Sequence, residues 1–169
     1  RQKLDNLRNA GTLYGGIIYM KAPIVMRQLE TLIGQEKMKN GLRKYLKNHS
    51  YDNAVWDDLI TILDQGTDLD LKQWSKAWVK EPGTPEIRSS LADNVLAIQQ
   101  TRSTHDKKYW AQQMDVTVVS NGKTSFKVRA MIDGKSTNVP IPAKRSDYDF
   151  YLANGSELGY GYFRLDKKS

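Results

Sequence analysis

The side chain with the clearest potential for chemistry is the phenol of Tyr19, in the stretch LYGGIIYMKAPIVMRQLETLIGQE (13–36). It follows a glycine-rich approach and precedes an amphipathic helical pattern. With a reference pKa of about 10, a phenol near neutral pH donates a hydrogen bond without carrying charge. The residue pattern alone favours a half-buried tyrosine that anchors the start of a helix, because tyrosines are common at such positions.

The two histidines, His49 and His105, do not form a metal-binding pattern. They lie far apart in sequence, and neither has a second histidine at helical spacing, so we expect no zinc site made from this chain alone. His49 is better suited to a helix C-terminus, where positive charge is favourable. The paired carboxylates Asp57 and Asp58 fall in a predicted first helical turn, which favours capping over acid-base catalysis.

Other catalytic and nucleic-acid-binding patterns have little support. No phosphate loop, Gly-x-Ser-x-Gly elbow or dinucleotide fingerprint occurs. The formal charge of +7 arises from 26 basic residues spread among 19 acidic ones, which indicates a solvated surface rather than a nucleic-acid site. The aromatic segment GYGYF (159–163) could stack on bases, but alternation in a final strand explains the same residues. We therefore expect no nucleic-acid partner.

The composition is that of a folded globular protein. Hydrophobic residues make up 39% and charged residues 27% of the 169-residue chain, and this length allows one ordinary domain or two small ones. No apolar run is long enough for a membrane span. The absence of cysteine excludes disulfides and fits cytoplasmic, periplasmic and secreted locations alike. Because the first residue is Arg1, we expect a trimmed or excised piece.

The front half of the sequence has helical periodicity and predicts about four helices. Pro23 suits the first turn of the first helix and Gly34 ends it. Asn53 and Asp70 are expected to cap the third and fourth helices, and the segment EPGTPE (81–86) stops the last one. The expected inward-facing residues are Ile24, Val25, Leu29, Leu32 and Ile33; Met38, Leu42, Tyr45 and Leu46; Trp56, Leu59, Ile60 and Leu63; and Leu71, Trp74 and Trp78.

Beyond Pro85 the apolar residues alternate, which predicts strands. The dipeptides Asn121-Gly122 and Asp133-Gly134 are turn signals, so we expect a three-stranded meander around them. Further strands are expected at 95–101, 150–154 and 161–165. The predicted fold class is α+β, with a helical subdomain at residues 1–84 followed by a small antiparallel β-sandwich at residues 85–169.

The segment IIYMKAPIVMRQLETLIGQEKMKNGLRKYLKNHSYDNAVWDDL (17–59) resembles the region after the zinc site in M1 aminopeptidases, the gluzincin family that includes aminopeptidase N. The shared features are a tyrosine, a lysine two positions later, an apolar helix ending in Leu-Glu, and an Asn…Asp-Leu cluster. The resemblance continues through WSKAWVKEPGTPEI (74–87) and weakly to NGSELGYGYFRLD (154–166). One departure is Ala22-Pro23, where many members have glycine followed by a small residue.

This resemblance implies that Tyr19 is the family's catalytic tyrosine, which donates a hydrogen bond to the tetrahedral oxyanion. Tyr14 could line the same substrate cleft, although packing is the simpler interpretation. The resemblance also implies that residues 1–84 form the last part of a thermolysin-like catalytic domain. It further implies that the intact parent uses zinc and that its substrates are peptides. The family's H-E-x-x-H pattern and later glutamate do not occur here. We therefore expect the zinc site to lie upstream, and this piece alone to be inactive and to bind no zinc.

An alternative from another class remains open. A relative that has lost its metal ligands would resemble the same segment and would act as a scaffold or protein-interaction module. The sequence upstream of Arg1 would separate the two interpretations, because an intact zinc motif there supports the enzyme. The oligomeric state is left open by the sequence.

Overall fold

The structure is a computed structural model of the 169-residue chain, and it describes residues 11, 19–101, 109–142, 144 and 147–164. Tyr14 and His105 lie outside the described residues. The chain divides into two compact units, Arg1–Pro82 and Gly83–Ser169. That the first unit belongs to a catalytic domain and the second serves as its β-sandwich domain stays a prediction.

The first unit is helical. Its described α-helices are α1 (Ala22–Ile33), α2 (Gln35–Asn48), α3 (Trp56–Asp64) and α4 (Leu71–Ser75), and α4 continues into a π-helical segment, Lys76–Lys80. Gly34 separates α1 from α2 with a φ of 87°, a backbone conformation that glycine adopts without a steric penalty. The four helices expected from the periodicity are confirmed, with Pro23 in the first turn of α1.

The interior of this unit is formed by the apolar faces of α1, α3, α4 and the π-helical segment after it, while α2 is mostly exposed. Val25, Leu29 and Ile33 of α1 are buried, and α2 buries only Met38. The expectation that Leu46 points inward is wrong, because its exposed fraction is 67%. At about 100° per residue, Leu46 lies about 80° around the helix from Met38, which takes it off the buried face.

One of the two expected helix caps is correct. Asp70 caps α4, because its Oδ1 accepts a hydrogen bond from the backbone N–H of Gln73 at 2.8 Å. Asn53 does not cap α3. The N-cap of α3 is Val55, which has no side-chain acceptor. Instead, Asp58 in the first turn reaches back, and its Oδ2 accepts from the N–H of Val55 at 2.9 Å.

The second unit consists of two β-sheets packed on a common apolar core. Its described strands are β1 (Glu86–Ala92), β2 (Val95–Thr101), β3 (Gln112–Ser120), β4 (Lys123–Ile132), β5 (Ser136–Pro140), β6 (Phe150–Leu152) and β7 (Tyr162–Arg164). One sheet has the order β5-β2-β1-β7 and the other β4-β3-β6. Every pair is antiparallel except β1 with β7. The predicted α+β class is confirmed.

The predicted three-stranded meander is wrong in its last step. Asn121 and Gly122, with φ of 51° and 70°, do form the two-residue turn between β3 and β4. After Asp133-Gly134, however, β5 leaves that sheet and pairs with β2. Ile132 and Val139 both face the shared core, so the connection crosses from one sheet to the other.

Strand β3 is buried on both faces, because the turn after β6 covers its outer side. Asp115 accepts hydrogen bonds from Arg129 Nε at 2.8 Å and from Ser156 Oγ at 2.8 Å. Its backbone carbonyl accepts from the N–H of Gly155 at 3.1 Å. A Cβ added at Gly155 would overlap the hydroxyl and Cβ of Thr117, the next outward residue of β3. The turn therefore fits this strand only with glycine at that position.

We expect Gly155→Ala to lower the free energy of unfolding of the second unit by about 1–3 kcal/mol, because the added methyl group overpacks a buried contact. Urea denaturation would measure the change. Gly134→Ala is the matched control, since a Cβ at Gly134 meets nothing within 4 Å. Equal stabilities of the two variants would contradict this packing.

The Asp115–Arg129 pair makes stability depend on acid pH. The hydrogen bond from Arg129, assisted by that from Ser156, lowers the pKa of Asp115 in the folded protein. Its stabilising contribution is therefore fully present above the unfolded pKa, about 3.9, and is lost as the pH falls through the lower folded value.

Unfolding free energies measured from pH 6 to pH 2.5 should fall less steeply with acid for Asp115→Asn than for the unaltered chain. The comparison between variants is needed because the pKa of Glu86 is also lowered, by its hydrogen bond from Arg88. Parallel curves for the two proteins would show that Asp115 does not titrate differently on unfolding.

Candidate active site

Tyr19 lies in a wide helical turn immediately before α1. Residues 19–21 have π-helical geometry. This geometry is rare in proteins, and where it occurs it often lies at a functional site. The exposed fraction is 71% for both Tyr19 and Met20, whereas Lys21 is half-buried. The turn therefore presents the phenol outward and turns the lysine towards the protein.

The position of this turn depends on how α1 is held. Pro23 sits in the first turn, where the missing N–H leaves no intrahelical bond unmade. Val25 and Leu29 are buried, with exposed fractions of 5% and 0%, and Ile24 is half-buried. Ile24, Val25 and Leu29 thus face inward as expected, and they hold the helix to which the turn is joined.

The exposure of Tyr19 does not match a half-buried anchor of the helix start. A tyrosine in that role would pack most of its ring against the interior, but Tyr19 is largely accessible. An accessible side chain is what a donor to a bound substrate needs. Its catalytic role stays a prediction, as does the placement of Tyr14 in a cleft.

Lys21 lies two residues after Tyr19, and sequence analysis assigns it no role beyond its position in the shared motif. Burial removes water from its ammonium group and lowers the pKa of Lys21 from its ordinary value. It also occupies the N-cap position of α1 without a side-chain capping bond. The signal for it was present in the sequence as the Tyr-x-Lys spacing, but the spacing does not disclose burial.

The described residues do not fit a zinc centre. No group of three or more His, Asp or Glu side chains comes together in the part of the chain that the structure describes. His49 instead ends α2, as expected, with its ring 5.2 Å from that of Tyr45. The implied zinc therefore has no ligand set among these residues.

The paired carboxylates are engaged structurally. Asp58 caps α3, and Asp57 pairs with Lys80 at the end of the π-helical segment. The expected capping is therefore confirmed for Asp58, whereas Asp57 forms an ion pair with a residue outside α3.

The tryptophans of the helical unit pack in its interior, as expected. Trp74 and Trp78 are buried and stack with ring centroids 5.4 Å apart. Trp56 is half-buried and donates from Nε1 to Ser75 Oγ at 2.7 Å.

Within the described residues, no helix has the length and apolar character to cross a bilayer.

The chain consists of a helical unit followed by two packed sheets, and solved structures share this fold. The chain superposes on Legionella pneumophila aminopeptidase A, solved in complex with aspartic acid, with a TM-score of 0.63 over 92% of this chain and 18% of that one. The sequences are 13% identical, so this likeness bears on the fold alone.

Sequence comparison then gives the family. Residues 1–78 match the profile of the peptidase family M1 domain. Aminopeptidase N of Streptomyces lividans is 31% identical over 92% of this chain and 20% of its own length. The puromycin-sensitive aminopeptidase of Caenorhabditis elegans is 27% identical over 97% of this chain and 18% of its own. The chain belongs to the M1 peptidase family, among relatives of the aminopeptidase N type, and spans about a fifth of their length.

The support of the turn can be tested through α1. Leu29→Ala should lower the free energy of unfolding of the helical unit by about 2–5 kcal/mol, because it leaves a cavity at a fully buried position. Leu46→Ala makes the same chemical change at an exposed position and should shift it by less than about 0.5 kcal/mol. Urea denaturation followed by tryptophan fluorescence measures both, and similar losses would contradict the described burial of α1.

Proposed function

We propose that this chain is part of a zinc-dependent aminopeptidase that removes N-terminal residues from peptides, with Tyr19 as a donor that stabilises the transition state. The observation that supports this most directly is the match of residues 1–78 to the M1 domain together with the exposed phenol at the start of α1. The relatives it resembles over most of its length are aminopeptidases.

The chemistry proposed for Tyr19 follows from amide hydrolysis. As a nucleophile adds to the scissile carbonyl, negative charge grows on the carbonyl oxygen, and a fixed donor lowers the energy of that state. A phenol is well suited because it remains protonated near neutral pH and adds no charge of its own. The donor must also be held in place, which is the part that the buried face of α1 would play.

Zinc enters this proposal as a property of the family rather than of the described residues. M1 aminopeptidases are generally zinc-dependent, and the part of the chain that the structure describes contains no ligand cluster. We therefore place the ligands in polypeptide outside this chain. Metal analysis of the full-length protein after dialysis tests this point, since a protein without zinc would favour the scaffold alternative.

Tyr19→Phe in the full-length enzyme should lower kcat by about 10²- to 10³-fold, the usual effect of removing one oxyanion donor, while KM changes little. Steady-state kinetics on an aminoacyl chromogenic substrate would measure both constants. The matched control is Tyr162→Phe, which removes the hydroxyl of a tyrosine of similar exposure, 70%, in the second unit and should leave kcat unchanged. An unaltered kcat for Tyr19→Phe would remove the assigned role.

A further inference from the structure

Met20 directly follows Tyr19 in the wide turn before α1, and both side chains are open to solvent. Each residue has an exposed fraction of 71%. Their Cα atoms are about 3.8 Å apart, the spacing across any trans peptide bond. The side chain of Met20 therefore lies at the same accessible surface as the phenol that is proposed to meet the substrate.

The other methionines are better protected than Met20. All five methionines of the sequence fall within the described residues. Met38 and Met114 are buried, with exposed fractions of 6% and 0%, Met26 is half-buried, and Met131 on β4 is 37% exposed. An oxidant must reach the sulfur to react with it, so these exposures place Met20 first in susceptibility.

We propose that Met20 is a site of redox modification. Hydrogen peroxide converts its thioether to the sulfoxide, and the sulfoxide lowers the activity of the parent enzyme by engaging the hydroxyl of Tyr19. The effect on activity rests on the function proposed for Tyr19. The preferential oxidation of Met20 rests on its exposure alone.

The oxidation requires no reactant other than the peroxide. A sulfur lone pair attacks one peroxide oxygen, the O–O bond breaks and an S–O bond forms. The hydroxyl on sulfur then gives its proton to the departing hydroxide, which leaves as water. Sulfur loses two electrons and the peroxide gains them. The product is the sulfoxide, a polar and chiral group in place of a flexible apolar one.

The sulfoxide acts on Tyr19 because it adds an acceptor beside a donor. A thioether sulfur is only a weak acceptor, and a protonated phenol has one O–H to donate. A phenol that donates to the sulfoxide oxygen has no proton left for the oxygen of the scissile carbonyl. That hydrogen bond matters most in the transition state, so its loss lowers kcat more than it raises KM.

The modification itself is tested by treating the full-length enzyme with limiting hydrogen peroxide. Peptide mass spectrometry would follow the gain of one oxygen at each methionine. Met20 should be oxidised first and Met131 more slowly, while Met38 and Met114 should stay protected as long as the protein is folded. Faster oxidation of Met131 than of Met20, or equal rates at Met20 and Met114, would overturn the assignment.

The effect on activity is tested on the same samples. Oxidation at Met20 should lower kcat by at least about 10-fold and by no more than the loss of the donor, about 10²- to 10³-fold, with KM within about threefold. Methionine sulfoxide reductases A and B, one for each epimer, should restore kcat. Oxidised enzyme with an unaltered kcat would overturn this effect, and so would a loss that the reductases do not reverse.

Two leucine variants provide the matched comparison. Met20→Leu retains an apolar side chain of similar volume and lacks the sulfur, so peroxide should leave its own untreated kcat unchanged. Met131→Leu makes the same chemical change in the second unit and should lose activity as the unaltered enzyme does. Equal losses in the two variants would contradict the role of Met20.

The Tyr19→Phe background shows whether the sulfoxide acts through the phenol. There, oxidation of Met20 should lower kcat little further, because the donor is already absent. An additive loss would overturn the coupling between the two side chains. If Tyr19→Phe alone leaves kcat unchanged, the proposed function fails, whereas the mass spectrometry still decides whether Met20 is the oxidised site. The two failures are thus distinguishable.

Discussion

The burial of one face of α1 is the interaction on which the candidate site depends. Val25, Leu29 and Ile33 lie in the interior of the helical unit, and this burial fixes the helix axis. The turn at residues 19–21 continues directly into that helix, so its backbone takes its position from the same contacts. Apolar packing, which is not directional, thereby sets the position of a directional hydrogen-bond donor.

Local signals allowed much of the helical unit to be predicted. Pro23 and Gly34 bracket α1 because each acts on its own backbone, through a fixed φ in one case and a positive φ in the other. The cap by Asp70 is equally local. The prediction that Asn53 caps α3 was wrong, because a side-chain acceptor before a helix is only one way to satisfy the first N–H groups of that helix. At Val55 an aspartate from inside the helix serves instead, and the residue pattern does not distinguish these two arrangements.

The sheet unit was less predictable because strand pairing is non-local. Asp133-Gly134 is a good turn signal, but a turn signal does not say which partner the next strand will take, and β5 pairs with β2. Strand β1 was not expected at all. Its inward positions are Ile87, Ser89 and Leu91, and the buried serine interrupts the apolar alternation by which a strand is recognised. The predicted α+β class is nevertheless correct, because it depends on the periodicity of apolar residues and not on which strands pair.

The candidate residue is identified from the sequence and its catalytic role stays a prediction, whereas its surroundings are seen only in the structure. The resemblance to the M1 family singles out Tyr19, yet no pattern states that the phenol is exposed and that Lys21 beside it is half-buried. In the described helical unit His49 ends α2, Asp58 caps α3 and Asp57 pairs with Lys80. The ring of Tyr19 has the exposure that a donor to a substrate needs. If Tyr19 acts as proposed, this chain supplies a hydrogen-bond donor and the packed helix that holds it. Activity then requires a second set of groups that bring the nucleophile to the carbonyl carbon of the substrate.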